Sequence, residues 1–294
     1  MEKYIFLDTW VYSLIANENA KSRLIDFVKN NEYTAVVSSL LFTELYNPHP
    51  DFDGENDRAR VVAKFLGEIP CVIADPMKVW AEEEKRRLTS LENIPIELDL
   101  QGISNAARED AILRFLRRDK YFLDMEKDVQ LWSDTYKDLK AEWLLNVANT
   151  ISQACADGNL KKDADGNFIE LEKYKELFLL SLDLRLINKN NVNSVLESHL
   201  QQLKRREKPI TGIRLTSLCF WYFYVDVISS NKPRISGSDI GDIYQSSFIP
   251  YSSVFTADRT MSKILGRVRQ NDFPNMCKIM TKNELANSLK IAIS

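Results

Sequence analysis

An α/β fold built on a parallel central sheet of about five strands, flanked by helices, is the architecture this sequence predicts. Three observations carry it. Short, largely apolar runs recur along the chain, three of them stop at an aspartate, and segments of helical period follow them. Runs apolar on every side belong to strands covered on both faces, and strands alternating with helices require the crossovers of a parallel sheet.

The first run, Tyr4 to Leu7, ends at Asp8, and Thr9 to Ala16 continues as a helix with Val11, Leu14 and Ile15 on one side. Asp8 interrupts the apolar N-terminal stretch and no small-residue cleavage site follows, so it reads as a strand and not as a signal peptide. The second run is Thr34 to Ser38, followed by a helical Ser39 to Tyr46. The third, Cys71 to Ala74, stops at Asp75-Pro76. Toward the other terminus, Ser238 to Phe248 reads as a helix, Val254 to Ala257 as a strand stopping at Asp258, and Lys278 to Met280 as a last strand before a helix from about Asn283. Leu215 to Ile228 is the longest apolar stretch; Asp226 lies inside it and it falls short of the roughly twenty residues a membrane span needs, so it predicts a buried helix.

Between Met77 and Lys208 the chain turns to long, charged segments of helical period, clearest in Lys127 to Ala156 and next in Leu171 to Ile187. The expected organisation is a discontinuous α/β domain, residues 1–76 and 209–294, with a helical insertion at 77–208. Breaks fall at Asp157-Gly158, Asp163 to Gly166, Asn188 to Asn191 and Lys208-Pro209. The Asp163, Asp165, Gly166 pattern fits part of a calcium loop, but Lys161 would occupy the first ligand position, and a hairpin or turn is the better reading.

With 39 Lys plus Arg against 42 Asp plus Glu, the net charge of -3 excludes the strongly basic manner of holding nucleic acid, leaving room for a local basic patch. Four cysteines, more than fifty residues apart, show neither zinc spacing nor a disulfide framework and fit a reducing cytoplasm. With two histidines, His49 and His199, catalysis must lean on carboxylates.

Ligands of an open parallel sheet bind outside the carboxyl ends of its strands. Asp8 and Asp258 directly follow strands, Glu44 lies in the helix after another, and Asp239 and Asp242 are neighbours on the first turns of a helix. Taken singly, Asp239 or Asp242 complements a helix N-terminus and Asp258 caps a helix. Taken together they converge, and two like charges about 4 Å apart repel by roughly 4 kcal/mol at an effective dielectric near 20. A cation turns that penalty into binding. Oxygen-only ligands select Mg²⁺ or Mn²⁺, and metal-assisted phosphodiester hydrolysis is the chemistry that follows.

The same residues resemble the PIN-like nuclease family. Tyr4 to Tyr12, YIFLDTWVY, is similar to its opening strand and first aspartate, and Ser38 to Tyr46, SSLLFTELY, to its second motif with Glu44 as the acid. Ser238 to Asp258 is similar to D-x-x-D-x-x-H, then L-P-Y, then a strand and T-x-D. The resemblance covers roughly residues 1 to 75 and 210 to 290. Gln245 stands where a histidine is usual, Ser253 where an aspartate is, and Trp10 where a small polar residue is.

The resemblance implies a metal-dependent endoribonuclease of the toxin, RNA-processing or defence kind, with Asp8, Glu44, Asp242 and Asp258 as catalytic metal-binding acids. It implies Asp239 as an accessory ligand and Thr9 and Thr256 as hydroxyls behind the acids. RNA is then the expected partner, beside an inhibitory protein or a second copy of the chain, and no membrane. The departures motivate the alternative, a catalytically inactive RNA-binding or protein-interaction module on the same scaffold. Arg259, Lys263, Arg267 and Arg269 follow the last acid at near-helical spacing, which makes Arg259 and Lys263 the expected RNA contacts. Trp10 is either a base-stacking surface or core.

Overall fold

The computed structural model describes residues 2–40, 58–86, 91–117, 161–162, 168–169, 175–176, 179, 210–229 and 237–291. The strands are β1 (Lys3–Phe6), β2 (Tyr33–Ser38), β3 (Cys71–Ala74), β4 (Leu98–Asp99), β5 (Lys161–Lys162), β6 (Phe168–Ile169), β7 (Val254–Thr256) and β8 (Lys278–Met280). The apolar runs pair as a six-stranded sheet in the order β4-β3-β2-β1-β7-β8, and β5 pairs with β6 in a separate antiparallel hairpin. Five strands of the sheet are parallel, with Ile5 opposite Ala35 on one side of β1 and Val254 on the other; β4 alone runs antiparallel, at the edge, with Ile73 opposite Leu98.

Alternation along each strand sends successive side chains to opposite faces, and each face has its own core. Tyr4, Phe6, Val36, Val72, Ala74 and Phe255 face one cluster, while Ile5, Leu7, Ala35, Val37, Ile73 and Val254 face the other. On the first face Phe6 stacks between Phe255 and Phe248, with ring centroids 4.5 and 5.5 Å away.

The helices are α1 (Val11–Leu14), α2 (Glu18–Asn30), α3 (Arg58–Gly67), α4 (Pro76–Lys85), α5 (Asn105–Arg117), α6 (Gly212–Ser229), α7 (Gly237–Gln245), α8 (Arg259–Asn271) and α9 (Lys282–Leu289). The predicted buried helix is α6: every residue from Leu215 to Tyr224 is buried, and all but Thr216 and Ser217 belong to the first cluster. No helix among the described residues is long and apolar enough to cross a membrane.

α7 is shorter than the predicted Ser238 to Phe248, because the chain tightens into a 3-10 turn at Ser246–Tyr251 that accommodates Pro250. Glu83 on α4 is fully buried and holds this region together. Its carboxylate accepts the Gly212 and Ile213 N–H groups at the start of α6, at 2.6 and 2.9 Å, and the Tyr251 hydroxyl. Gly212 is required there, since a Cβ would lie 2.6 Å from the Ser247 carbonyl oxygen.

The domain boundary expected at residue 77 falls inside α4, and the described residues from there to Arg117, 77–86 and 91–117, include elements built onto the sheet. β4 extends the sheet, and α5 packs so closely on α3 that a Cβ on Gly67 would sit 2.9 Å from Glu109 Cβ. Arg108, buried on α5, donates to the carbonyls of Gly67, Ile69, Leu100 and Ile103 and so satisfies the end of α3 with a cation. The expected helix at Lys127 to Ala156 lies outside the described residues. Of Leu171 to Ile187, Lys175, Glu176 and Leu179 are described as helical, and Leu179 is buried in the first core cluster.

Candidate functional site

Strand order reverses between β1 and β7: the chain runs outward from β1 through β2 to β3, then returns to β1's other side with β7 and β8. Such a switch point opens a crevice beyond the carboxyl ends of the two strands. The pairing of Phe6 with Phe255 brings Asp8, two residues past β1, and Asp258, two past β7, to that one edge.

Asp8 is buried and tightly held. Its N–H donates to Thr256 Oγ1 at 2.7 Å, and the Thr256 hydroxyl donates to the Phe6 carbonyl at 3.1 Å, so one fully buried hydroxyl bridges the two strand ends. Asp8 Oδ1 accepts the Thr9 N–H at 2.6 Å and the Thr9 hydroxyl at 3.2 Å, which sets the carboxylate's orientation. The Asp8 carbonyl accepts the Val11 N–H and starts α1.

Asp258 is half-buried and is the N-cap of α8, its Oδ1 accepting the Met261 N–H at 2.6 Å. Its Oδ2 accepts no hydrogen bond among the described residues. Asp242 lies on α7 and is half-buried, between the buried Gly241 and Ile243. Of Asp239 only the backbone, in α7, is described, and Glu44 lies outside the described residues. Among the described residues no group of three or more His, Cys, Asp and Glu side chains is placed to hold a metal ion.

The basic residues divide. Arg259, first residue of α8, is exposed and has no partner among the described residues. Lys263, one turn on, pairs with Asp226 of α6 at 3.1 Å, and Arg267 pairs with the same carboxylate at 2.5 Å. Sequence spacing aligned the cations on one helical face; nothing local in it pointed to Asp226, brought in by α6. Trp10 is half-buried against the second core cluster, and its Nε1 has no hydrogen-bond partner among the described residues.

Burial pushes the thiols of Cys71, Cys219 and Cys277 up to about 12, so the free thiols are protonated at neutral pH. A third strand-end acid, Asp75 after β3, caps α4 through the Met77 N–H at 2.7 Å, and burial raises its pKa above the ordinary aspartate value. Compared with protein-family models, with curated proteins and with solved structures, the chain matches none.

Proposed function

We propose that this protein is a divalent-metal-dependent endoribonuclease of the PIN-like kind. The observation that carries the reading is the pair of acids, Asp8 and Asp258, on adjacent strand ends at the switch point of the sheet. Asp8, Glu44, Asp239, Asp242 and Asp258 would hold Mg²⁺ or Mn²⁺. The donor chemistry fits a hard ion: two carboxylates share an edge, and Asp258 Oδ2 carries no hydrogen bond among the described residues. When bound, the ion supplies a water of lowered pKa and offsets the negative charge developing at phosphorus.

The chain's own groups serve positioning. Thr256 fixes the backbone at Asp8 and Thr9 its carboxylate, so little reorganisation is left to the moment of reaction. Chain direction supports Asp242 at the same edge. The 3-10 turn after α7 leads to the opposite end of the sheet, where the Ser253 N–H donates to the Tyr4 carbonyl at 2.8 Å. The first turn of α8, with Arg259 on it, offers a positive end to a phosphate. The RNA substrate, a cytoplasmic setting, an inhibitory protein or a second copy as partner, and a helical insertion beyond Arg117 belong to the same proposal.

One observation favours a second reading, an inactive RNA-binding or interaction module: Asp258 Oδ1 is already used in capping α8. Incubation with single-stranded and structured RNA in Mn²⁺ separates the two. The expected result is cleavage that Asp8→Asn and Asp242→Asn each reduce by about 100-fold or more, the loss usual when a transition-state electrostatic contact is removed. Cleavage indifferent to both substitutions rules out this site. RNA binding without turnover, and no thermal stabilisation by Mn²⁺, selects the second reading.

A further inference from the structure

Arg259, Lys263 and Arg267 stand at i, i+4 and i+8 on α8, which makes them neighbours along one face. Successive members are about 6 Å apart along the helix axis, within reach of successive phosphates of an extended strand. The row begins beside Asp258. In the free protein its two distal members share one anion: Asp226 Oδ2 accepts Lys263 Nζ at 3.1 Å and Oδ1 accepts Arg267 Nη1 at 2.5 Å. Two oxygens of one group, each on its own cation, is also how a phosphate is bound.

The helix does not depend on this cluster alone. α8 is already fastened to the sheet by buried Met261, Ile264, Leu265 and Val268. The Lys263 side chain is 68% exposed, so its contact with Asp226 adds little to stability and is open to a competing anion, while Arg267 and Asp226, 30% and 35% exposed, form the firmer half of the cluster. Arg267 is held ready, its guanidinium 4.5 Å above the Tyr222 ring.

We infer that this face of α8 is a track for the backbone of single-stranded RNA, with the Asp226 carboxylate standing where one phosphate of the bound strand sits. The inference rests on the proposed nuclease reading for the identity of the polyanion and for the direction in which the track leads. Asp226 then tunes affinity: binding requires its displacement from two cations.

The test is fluorescence anisotropy of a labelled single-stranded RNA of mixed sequence, in EDTA, over a range of salt concentrations. Asp226→Asn is expected to bind about 3- to 10-fold tighter at low salt, with a slope of log K against log salt steeper by about 0.7 for each additional phosphate neutralised. Lys263→Gln is expected to loosen binding and flatten the slope by a similar amount, and to cancel the gain when combined with Asp226→Asn. Unchanged or weaker binding by Asp226→Asn with an unchanged slope overturns the inference. Should that variant not fold, Lys263→Gln decides alone, an unchanged affinity and slope overturning it. Cleavage in Mn²⁺ is read separately: binding that responds as expected without cleavage sinks the nuclease reading and leaves the track, and cleavage without the response does the reverse.

Discussion

Asp8, Asp75 and Asp258 all follow parallel strands at one edge, and what surrounds each carboxylate decides what it does. Asp8 is oriented by Thr9 and Thr256, Asp258 shares itself between an N-cap and an open oxygen, and Asp75 is committed to capping α4. For Asp75 burial is the largest influence and raises the pKa; the charge of Glu97 raises it further, while the Met77 N–H, the Ser39 hydroxyl and Lys78 lower it. Because the folded value lies above the unfolded one, folding favours the protonated form. The stability that protonation adds is complete below the unfolded pKa and is lost as pH rises through the folded pKa. Asp75→Asn keeps an oxygen for the Met77 N–H and removes the buried charge. Its thermal midpoint is expected to exceed that of the parent at pH 7, with the difference shrinking as pH falls through the carboxylate range. A difference that is constant with pH, or reversed at pH 7, would show that Asp75 is not held as a costly anion.

What holds the elements in register is polar chemistry buried between helices, and it was far less legible in the sequence than the strands were. The strands were legible because runs such as Tyr4 to Leu7 and Cys71 to Ala74 are apolar throughout and stop at Asp, a pattern set by burial on both faces. β4 has two residues, too few to show any period, and exists because the edge of β3 pairs with it. α2 escaped because charged residues surround its buried stripe of Leu24, Ile25 and Val28. Glu83, in the run Glu82-Glu83-Glu84, reads as a solvated charge, yet it is the fully buried acceptor for the start of α6. Glu83→Ala would orphan the Gly212 and Ile213 N–H groups and the Tyr251 hydroxyl at once. At about 1–3 kcal/mol for each buried group left unsatisfied, a loss of roughly 3 kcal/mol or more is expected in denaturant unfolding. Glu83→Gln, which keeps one acceptor oxygen, is expected to lose distinctly less. Equal losses would mean that packing, not hydrogen bonding, fixes α6.

Across the molecule, residues far apart in the chain meet on two seams, and sequence spacing shows neither. One is the β1–β7 edge, where the site's acids were legible as strand-end residues and Thr9 and Thr256 entered only through the family resemblance, because Asp8 and Thr256 are brought together by strand pairing. The other joins the middle of the chain to the α/β body. Lys175 is buried, and its ammonium donates to Asp272 Oδ1 at 2.7 Å and to the Tyr222 hydroxyl at 2.9 Å, while Tyr222 donates to Asp272 Oδ2 at 2.6 Å. Beside it Glu176 pairs with Arg214 at 2.7 Å, so neighbouring residues grip α6 two turns apart. Hydrogen bonds to Asp272 and Tyr222 raise the Lys175 pKa although burial opposes them, so the ammonium stays charged throughout the neutral range. Lys175→Met keeps the apolar stem and leaves Asp272, whose side chain is 19% exposed, without its cation. A loss of about 1–3 kcal/mol is expected, on the scale of hydrogen bonds to charged groups. A double-mutant cycle with Asp272→Asn checks its origin, because residues that share one network are expected to give much less than additive losses. Additive losses would show that Lys175 and Asp272 are not coupled in energy, and that the ammonium acts through another partner such as the Tyr222 hydroxyl.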